Sequence, residues 1–380
     1  MPNALRLLYL IKDSPFEPRS HSSQRAHALI GAWNLSQEAS VLFFFPGKTT
    51  KSHVLKATPG FEVKAQRTLI EKIKGIFFSY HFRLIGSSFQ KEVLRLSQGQ
   101  KFDAVVAEEL TMAEHAIPIA KALGVPIFYI AHNFEAKLYS QIGSGKLRFI
   151  KLMVLKWKEA SILKSVTRAF AFSKVDAVRM QTSYSGLEIK TTSAGFDLDS
   201  TVFTERRADR RHLLIIGALD YLPNIESVVW FASQIYPLLK TPYPVIVAGR
   251  NPSSQVKEVC TKAGFELVPS PKDMNPILNR GVLEVVPLKK GSGTRGKILE
   301  AMAAGLPIVS TELGCEGLGL EHGKHLLVAD TAIEFAKAVE QLMDNEAQRH
   351  HLAKEAFSKV KDYSYHVVAK ALIQEIKTDL

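Results

Sequence analysis

The sequence predicts an α/β protein built from two doubly wound domains, and three observations carry that prediction. Short apolar runs rich in branched and aromatic residues alternate with longer segments of helical periodicity, the pattern of βαβ units and parallel sheets. The alternation occurs twice, with a polar, charged stretch between the two series. The chain has 380 residues, too many for one ordinary core when domains run to roughly 100 to 200 residues.

In the first series the expected strands are "LRLLYLI" (5–11), "SVLFFF" (40–45), "DAVVA" (103–107), "PIFYIAH" (126–132) and "RAFAFS" (168–173), with helical patterns between them. The second series reads "HLLIIGA" (212–218), "PVIVAG" (244–249), "VLEVVPL" (282–288) and "LPIVS" (306–310). Between them "SAGFDLDSTVFTERRADRR" (193–211) has little apolar periodicity, which sets the boundary near Glu205: one domain over 1–205, the other over 206–362. The last segment, 363–380, carries Val367, Val368, Ala371, Leu372 and Ile376 at helical spacing and is expected to return to the first domain. Two such domains facing one another form a cleft, with ligands at the carboxyl ends of strands.

Composition removes several function classes. Hydrophobic residues make up 46% and charged residues 23% of the chain, as in ordinary globular proteins, so disorder is not expected. Cys260 and Cys315 are the only cysteines and lack metal-ligand spacing, which points away from a disulfide framework or a zinc site and toward a reducing cytoplasm. The start, "MPNALRLLYLIKDSP", reads as a buried strand rather than a signal peptide. No window approaches the roughly 18 uncharged apolar residues of a membrane span.

The formal net charge of +12 is uneven. Residues 1–200 hold 27 Lys and Arg against 16 Asp and Glu, leaving 22 against 21 for the rest. The excess lies in 64–101, with eight bases and two acids, and in 137–168, with eight and one. The first is interleaved with Ile76, Phe77, Phe78, Tyr80 and Phe82, the second with Phe149, Ile150, Leu152 and Met153. Such mixtures suit an anionic membrane surface, or equally the lysine-rich outer face of a soluble helix. No nucleic-acid motif accompanies them.

The densest chemical signal is "KKGSGTRGKILEAMAAGLPIVS" (289–310). A strand ends near Leu288, the chain turns through Gly291, Ser292 and Gly293, and a helix follows from about Thr294 to Ala304, stopped by Gly305 and Pro307. Glycines let a ligand approach the main chain, Ser292 and Thr294 can cap, and a helix start offers free N–H groups with partial positive charge. Arg295 and Lys297 add full charges suited to phosphate, and Glu300, on the Lys297 face, suits a ribose diol. The bland reading is a tight turn followed by a solvated ion pair.

These residues, especially "KILEAMAAGLPIVS", resemble the signature of the family 4 retaining glycosyltransferases, whose fold is the two-domain, Rossmann-like GT-B arrangement. Weaker resemblance runs through "AHNFEAKLY" (131–139), "SAGFDLDSTVF" (193–203) and 213–239. The resemblance implies a retaining, metal-independent, hexosyltransferase-type enzyme that needs no cofactor. It would move sugar from a nucleotide diphosphate donor to a glycan or lipid-linked acceptor in bacterial surface-glycan synthesis, in the cytoplasm or peripherally on the inner face of the plasma membrane. It makes Glu300 the second of the family's paired glutamates, the one that meets the ribose. The first falls on Ser292, a departure that bears on contacts to the sugar, as in a Gly/Ser-Gly-Thr-Arg subgroup. Where relatives carry an Arg and a Lys after the second domain's first strand this chain has "GALDYLPN", so Arg295 and Lys297 would take over the phosphate load.

On the acceptor side the family's Gly-Gly turn is replaced by Ser22 and Ser23, with Arg25 retained. His132 and Glu135 of "HNFE" end a strand where the resemblance implies contact with donor sugar or acceptor; otherwise His132 is a structural histidine and Glu135 a first-turn acid. Arg250, after "PVIVAG", either faces the diphosphate or serves the surface. Glu108 and Glu109 would point to opposite faces if extended. The rival readings are a GT-B epimerase or phosphorylase, and a nucleotide-sugar-binding or membrane-scaffold protein without turnover.

Overall fold

The computed structural model describes residues 4–16, 21–65, 85–143, 147–201, 203, 212–291 and 295–380. Two compact units result: Met1–Gly195 with Tyr365–Leu380, and Phe196–Ser364. The division falls earlier in the chain than Glu205, which lies outside the described residues.

The first unit runs β1 (Leu5–Leu10), α1 (His21–Ser36), β2 (Ala39–Gly47), β3 (Lys51–Leu55), β4 (Thr58–Lys64), α2 (Ser88–Leu96), β5 (Ala104–Glu108), α3 (Glu109–Leu123), β6 (Ile127–Ala131), α4 (Glu135–Ile142), α5 (Arg148–Ser165), β7 (Arg168–Ala171), α6 (Lys174–Ser183) and β8 (Ile189–Thr191). Its sheet has the order β3-β4-β2-β1-β5-β6-β7-β8. The pairings are parallel apart from the β3–β4 hairpin. Chain order reverses at β1, so the loops after β1 and β5 open at the switch point where doubly wound sheets bind ligands.

Strand alternation builds two cores. Leu7 and Tyr9 face one side, with Trp33 of α1 and the terminal helix Tyr365–Thr378, while Leu8 and Leu10 face the other, with Ala113 and Ala116 of α3 and Ile162 of α5. The terminal helix buries Val368, Ala369, Leu372, Ile373 and Ile376, and the Trp33 indole donates to Ala369 O at 3.1 Å. Its expected face needs correction: Val367 and Ala371 are exposed, and Ala369 and Ile373 take their place because the buried stripe is centred one residue further round.

The second unit runs β9 (His212–Ile216), α7 (Leu222–Trp230), β10 (Val245–Gly249), α8 (Ser254–Ala263), β11 (Glu266–Pro269), α9 (Asn275–Arg280), β12 (Gly281–Val286), α10 (Gly296–Ala303), β13 (Ile308–Ser310), α11 (Glu312–Cys315), β14 (Leu327–Val328), α12 (Ala332–Asp344) and α13 (Glu346–Val360). Its parallel sheet, β11-β10-β9-β12-β13-β14, reverses between β9 and β12. Strands β3, β4, β8, β11 and β14 have no counterpart in the sequence reading. Of these, β3, β8, β11 and β14 are short and lie at sheet edges, and in β4, which lies between β3 and β2, charges alternate with apolar residues, as in "GFEVK", and hide the apolar signal.

Candidate functional site

In the second unit β12 delivers the buried Pro287 and Leu288, the exposed Lys289 and Lys290, and then Gly291. Gly291 has φ +121°, and a Cβ there would sit 3.2 Å from Arg295 Nη1, so only glycine fits comfortably. Ser292, Gly293 and Thr294 lie outside the described residues. Arg295 caps the start of α10, buried, with Nε and Nη2 donating to Leu313 O at 3.3 Å. The guanidinium thus braces the loop against α11, which leaves less of it for a phosphate than the sequence reading assigned.

Lys297, one residue into α10, donates to Asn224 Oδ1 at 2.7 Å. Asn224 Nδ2 in turn donates to Ala218 O at 3.0 Å, in the loop after β9. A Cβ on Gly217 would come within 2.8 Å of Asn224 Nδ2 and 3.0 Å of Lys297 Nζ, so the bare backbone there admits the ammonium. Burial lowers the Lys297 ammonium to about 8 against the opposing pull of Glu284, with Arg295 adding to the depression. Burial raises Glu300 to about 7.

Glu284, in the middle of β12, was not singled out in the sequence reading. It is fully buried, and neither carboxylate oxygen has a hydrogen-bond partner among the described residues. Burial, and to a lesser degree Glu300, pushes its pKa well above the carboxylate range although Lys297 opposes the shift. One carboxyl in an otherwise apolar strand, "VLEVVP", was the available signal. Arg250 follows β10 with an exposed side chain, and its carbonyl accepts from Leu219 N at 2.8 Å.

The first unit gathers a second cluster where β1, β5 and β6 end. Arg25, fully buried in α1, donates from Nε to Glu108 Oε1 at 2.9 Å and from Nη1 to Ser193 O and Ala194 O at 2.7 and 2.6 Å. Its guanidinium lies 4.8 Å above the Phe172 ring. His132 Nε2 sits 2.9 Å from Glu108 Oε2, and its Nδ1 lies 3.9 Å from Glu109 Oε1. Glu109 also accepts from Ser22 Oγ at 2.7 Å and Lys12 Nζ at 2.6 Å. Ser23 is buried beside them in α1.

The expectation that Glu108 and Glu109 diverge is overturned. Glu109 takes φ +67°, a left-handed conformation costly for a residue with a Cβ, and this turn brings both carboxylates to one imidazole. Burial alone would raise Glu108, but the Arg25 charge and then His132 outweigh it and hold the carboxyl at about 2. Glu109 is likewise lowered: His132 and Lys12 outweigh its burial.

Glu135 opens α4, accepts from Asn133 Nδ2 at 3.3 Å, and is raised by burial to about 7. Glu159, on the inner side of α5, accepts from Glu135 N at 2.9 Å, Ala136 N at 3.2 Å and the Tyr184 hydroxyl at 2.7 Å. It therefore satisfies the free amides of the α4 start. Burial raises it too to about 7.

Among the described residues no group of three or more His, Cys, Asp or Glu side chains is disposed to hold a metal ion. None of the described helices is long and apolar enough to cross a membrane. The second unit thus offers cations and an amide at a helix start with a buried carboxyl one turn inside, and the first offers an imidazole fixed between carboxylates.

Residues 210–345 match the family described as glycosyl transferases group 1. A curated Klebsiella pneumoniae protein, described as an uncharacterized 44.6 kDa protein in the cps region, is 27% identical over 177 residues, 43% of this chain and 45% of its own length. The aligned part thus spans less than half of that relative. Sucrose-phosphate synthase from Thermosynechococcus elongatus superposes with a TM-score of 0.76 at 12% identity, covering 98% of each chain. A Rickettsia africae glycosyltransferase gives 0.73 at 10% identity over 99% of each. Anabaena HepE, solved with UDP-glucose, gives 0.69 at 13% identity over 99% of this chain and all of its own.

Proposed function

We propose that this chain, a two-domain α/β protein of the GT-B fold with a group 1 glycosyl transferase match in its second unit, is a retaining glycosyltransferase. It takes a nucleotide diphosphate sugar as donor and a hydroxyl of a glycan or lipid-linked intermediate as acceptor. The observation that carries the reading is the convergence of Lys297, Asn224 and the open Gly217 backbone at the start of α10, with Glu300 one turn inside. The UDP-glucose held by HepE and the cps-region origin of the Klebsiella relative supply the donor class and the glycan setting by similarity.

In this reading the diphosphate lies against the free N–H groups of α10 and the Lys297 ammonium, while Glu300 accepts from the ribose hydroxyls. As the bond from the sugar's anomeric carbon to the β-phosphate oxygen breaks, its electron pair stays on that oxygen. Each donor aimed at the growing charge contributes about 3 to 4 kcal/mol of barrier lowering, by analogy with oxyanion sites. The acceptor oxygen bonds to the anomeric carbon on the face just vacated, and its proton passes to a phosphate oxygen, so neither metal nor protein nucleophile is required. His132, immobilised by Glu108 and Glu109, hydrogen-bonds a sugar hydroxyl.

Incubation with a panel of nucleotide sugars and glycan acceptors, read as nucleoside diphosphate release, tests the proposal. Release that falls at least tenfold in Glu300→Ala and Lys297→Ala is expected; unchanged kinetics in both removes the site. Tight binding with no release under any acceptor points instead to a nucleotide-sugar-binding scaffold. Because Lys297 titrates near 8 and an anion holds it protonated, nucleoside diphosphate affinity should weaken as pH rises through 8. That midpoint should vanish in Lys297→Met, as read by calorimetry.

A further inference from the structure

The described helix that most clearly presents an apolar face outward is α5. Phe149, Met153 and Trp157 follow one another at intervals of four residues, so they line one stripe, with Ile150 and Val154 beside it. Phe149 and Trp157 are each 72% exposed and Met153 57%. The helix is bound to its own unit through the opposite side, where Leu155, Glu159, Ile162 and Leu163 are buried. Other exposed apolar side chains of this unit, such as Leu35, Val54 and Val178, sit apart on different elements.

Charge identifies what covers the stripe. The helix carries Arg148, Lys151, Lys156, Lys158 and Lys164, and its one acid, Glu159, faces inward. Lys158 pairs with Glu114, and Arg148 donates to the Ser140 carbonyl. Lys156 and Lys164 are exposed beside the apolar stripe. We propose that the outer face of α5 docks on an anionic lipid surface, with Phe149, Met153 and Trp157 at the boundary between headgroups and acyl chains and Lys156 and Lys164 on lipid phosphates. An interfacial helix needs this combination of aromatic anchors and flanking cations. A second copy of the chain fits less well, because apposed copies of this helix bring lysines together without an exposed acid to meet them.

The docked helix also holds the site loop of its unit. Through Glu159 it binds the first-turn amides of α4, which begins three residues after His132, so a membrane under α5 stands at a fixed distance from that imidazole. The inference goes beyond sugar transfer and stands apart from it: vesicle binding and nucleotide binding succeed or fail separately.

Of the three tryptophans, Trp33 and Trp230 are buried, so Trp157 is the one whose fluorescence responds to lipid. The full chain, titrated at low salt with vesicles of phosphatidylglycerol and phosphatidylcholine in equal amounts, should show a blue shift that pure phosphatidylcholine does not produce and that added salt reverses. Phe149→Ser/Met153→Ser and Lys156→Glu/Lys164→Glu should each weaken binding about tenfold or more. Both should keep the far-ultraviolet circular dichroism and the melting transition of the unaltered chain, which shows that the first unit still folds. Trp157→Phe should still sediment with the vesicles while losing the blue shift. A shift that is absent at low salt, equal on neutral vesicles, or undiminished in both double variants overturns the proposal. So does a dimer in sedimentation equilibrium that the same substitutions dissolve, since the occupant is then a second copy.

Discussion

Both units bury ionisable side chains in or beside their parallel strands, Glu108 at the end of β5 and Glu284 in the middle of β12, and treat them in opposite ways. In the first unit burial is matched by pairing: Glu108 meets Arg25 and His132, and Glu109 meets Ser22 and Lys12. In the second unit Glu284 is as deeply buried but has no hydrogen-bond partner among the described residues, and the nearby Lys297 binds a neutral amide. A matched network fixes geometry in advance. An unmatched one leaves an ammonium with a depressed pKa, which gains most when an anion arrives.

The comparison is broken most severely at Arg25. Arg25→Met leaves Glu108 buried without its guanidinium and should cost the first unit about 3 to 5 kcal/mol in urea unfolding. A loss below 1 kcal/mol would show that His132 alone suffices for Glu108.

The pH dependence of the same unit comes next. Glu135 and Glu159, raised to about 7, keep their protons in the folded state after the unfolded chain has lost them. Their contribution is present at acid pH and is lost as pH rises toward 7. Glu108, held at about 2, contributes above the ordinary carboxylate range and loses that contribution as pH falls toward 2. Stability of this unit should therefore peak between about pH 4 and 5 and decline toward pH 8 by about 3 kcal/mol for each of the two raised carboxyls. Glu159→Gln should flatten the alkaline limb in thermal melts.

In the second unit the sign reverses. Glu284→Leu removes a buried carboxyl without a partner, so it should stabilise the unit by about 1 to 3 kcal/mol. Nucleotide turnover should fall at the same time if Glu284 tunes Lys297. Destabilisation would instead reveal a partner for the carboxyl. The smallest effect is expected at Trp33→Phe, which loses the indole bond to Ala369 O and should cost about 1 kcal/mol.

The loop before α10 was legible because its chemistry is local. Glycines, cations and an acid one turn later lie within a dozen residues, and helical spacing alone puts Lys297 and Glu300 on one side. His132 and Arg25 were legible as chemistry-bearing residues at strand and helix ends, but their partners were not. Glu109 was misread because alternation holds only for extended backbone, and its left-handed turn is imposed by what surrounds it. Asn224 was passed over as an ordinary residue of "GALDYLPN", and the approach of Lys297 gives it a role.

By itself the sequence determined the α/β class, the double series of buried strands and the cationic glycine loop, because periodicity and turn chemistry act over a few residues. Tertiary structure alone decided which charges meet: Glu108 and Glu109 on one imidazole, Glu284 under Lys297, Glu159 on the start of α4. It also decided which side of α5 remains uncovered. Those outcomes depend on contacts between residues far apart in the chain and on the low-dielectric setting that burial creates, which spacing along the sequence does not encode.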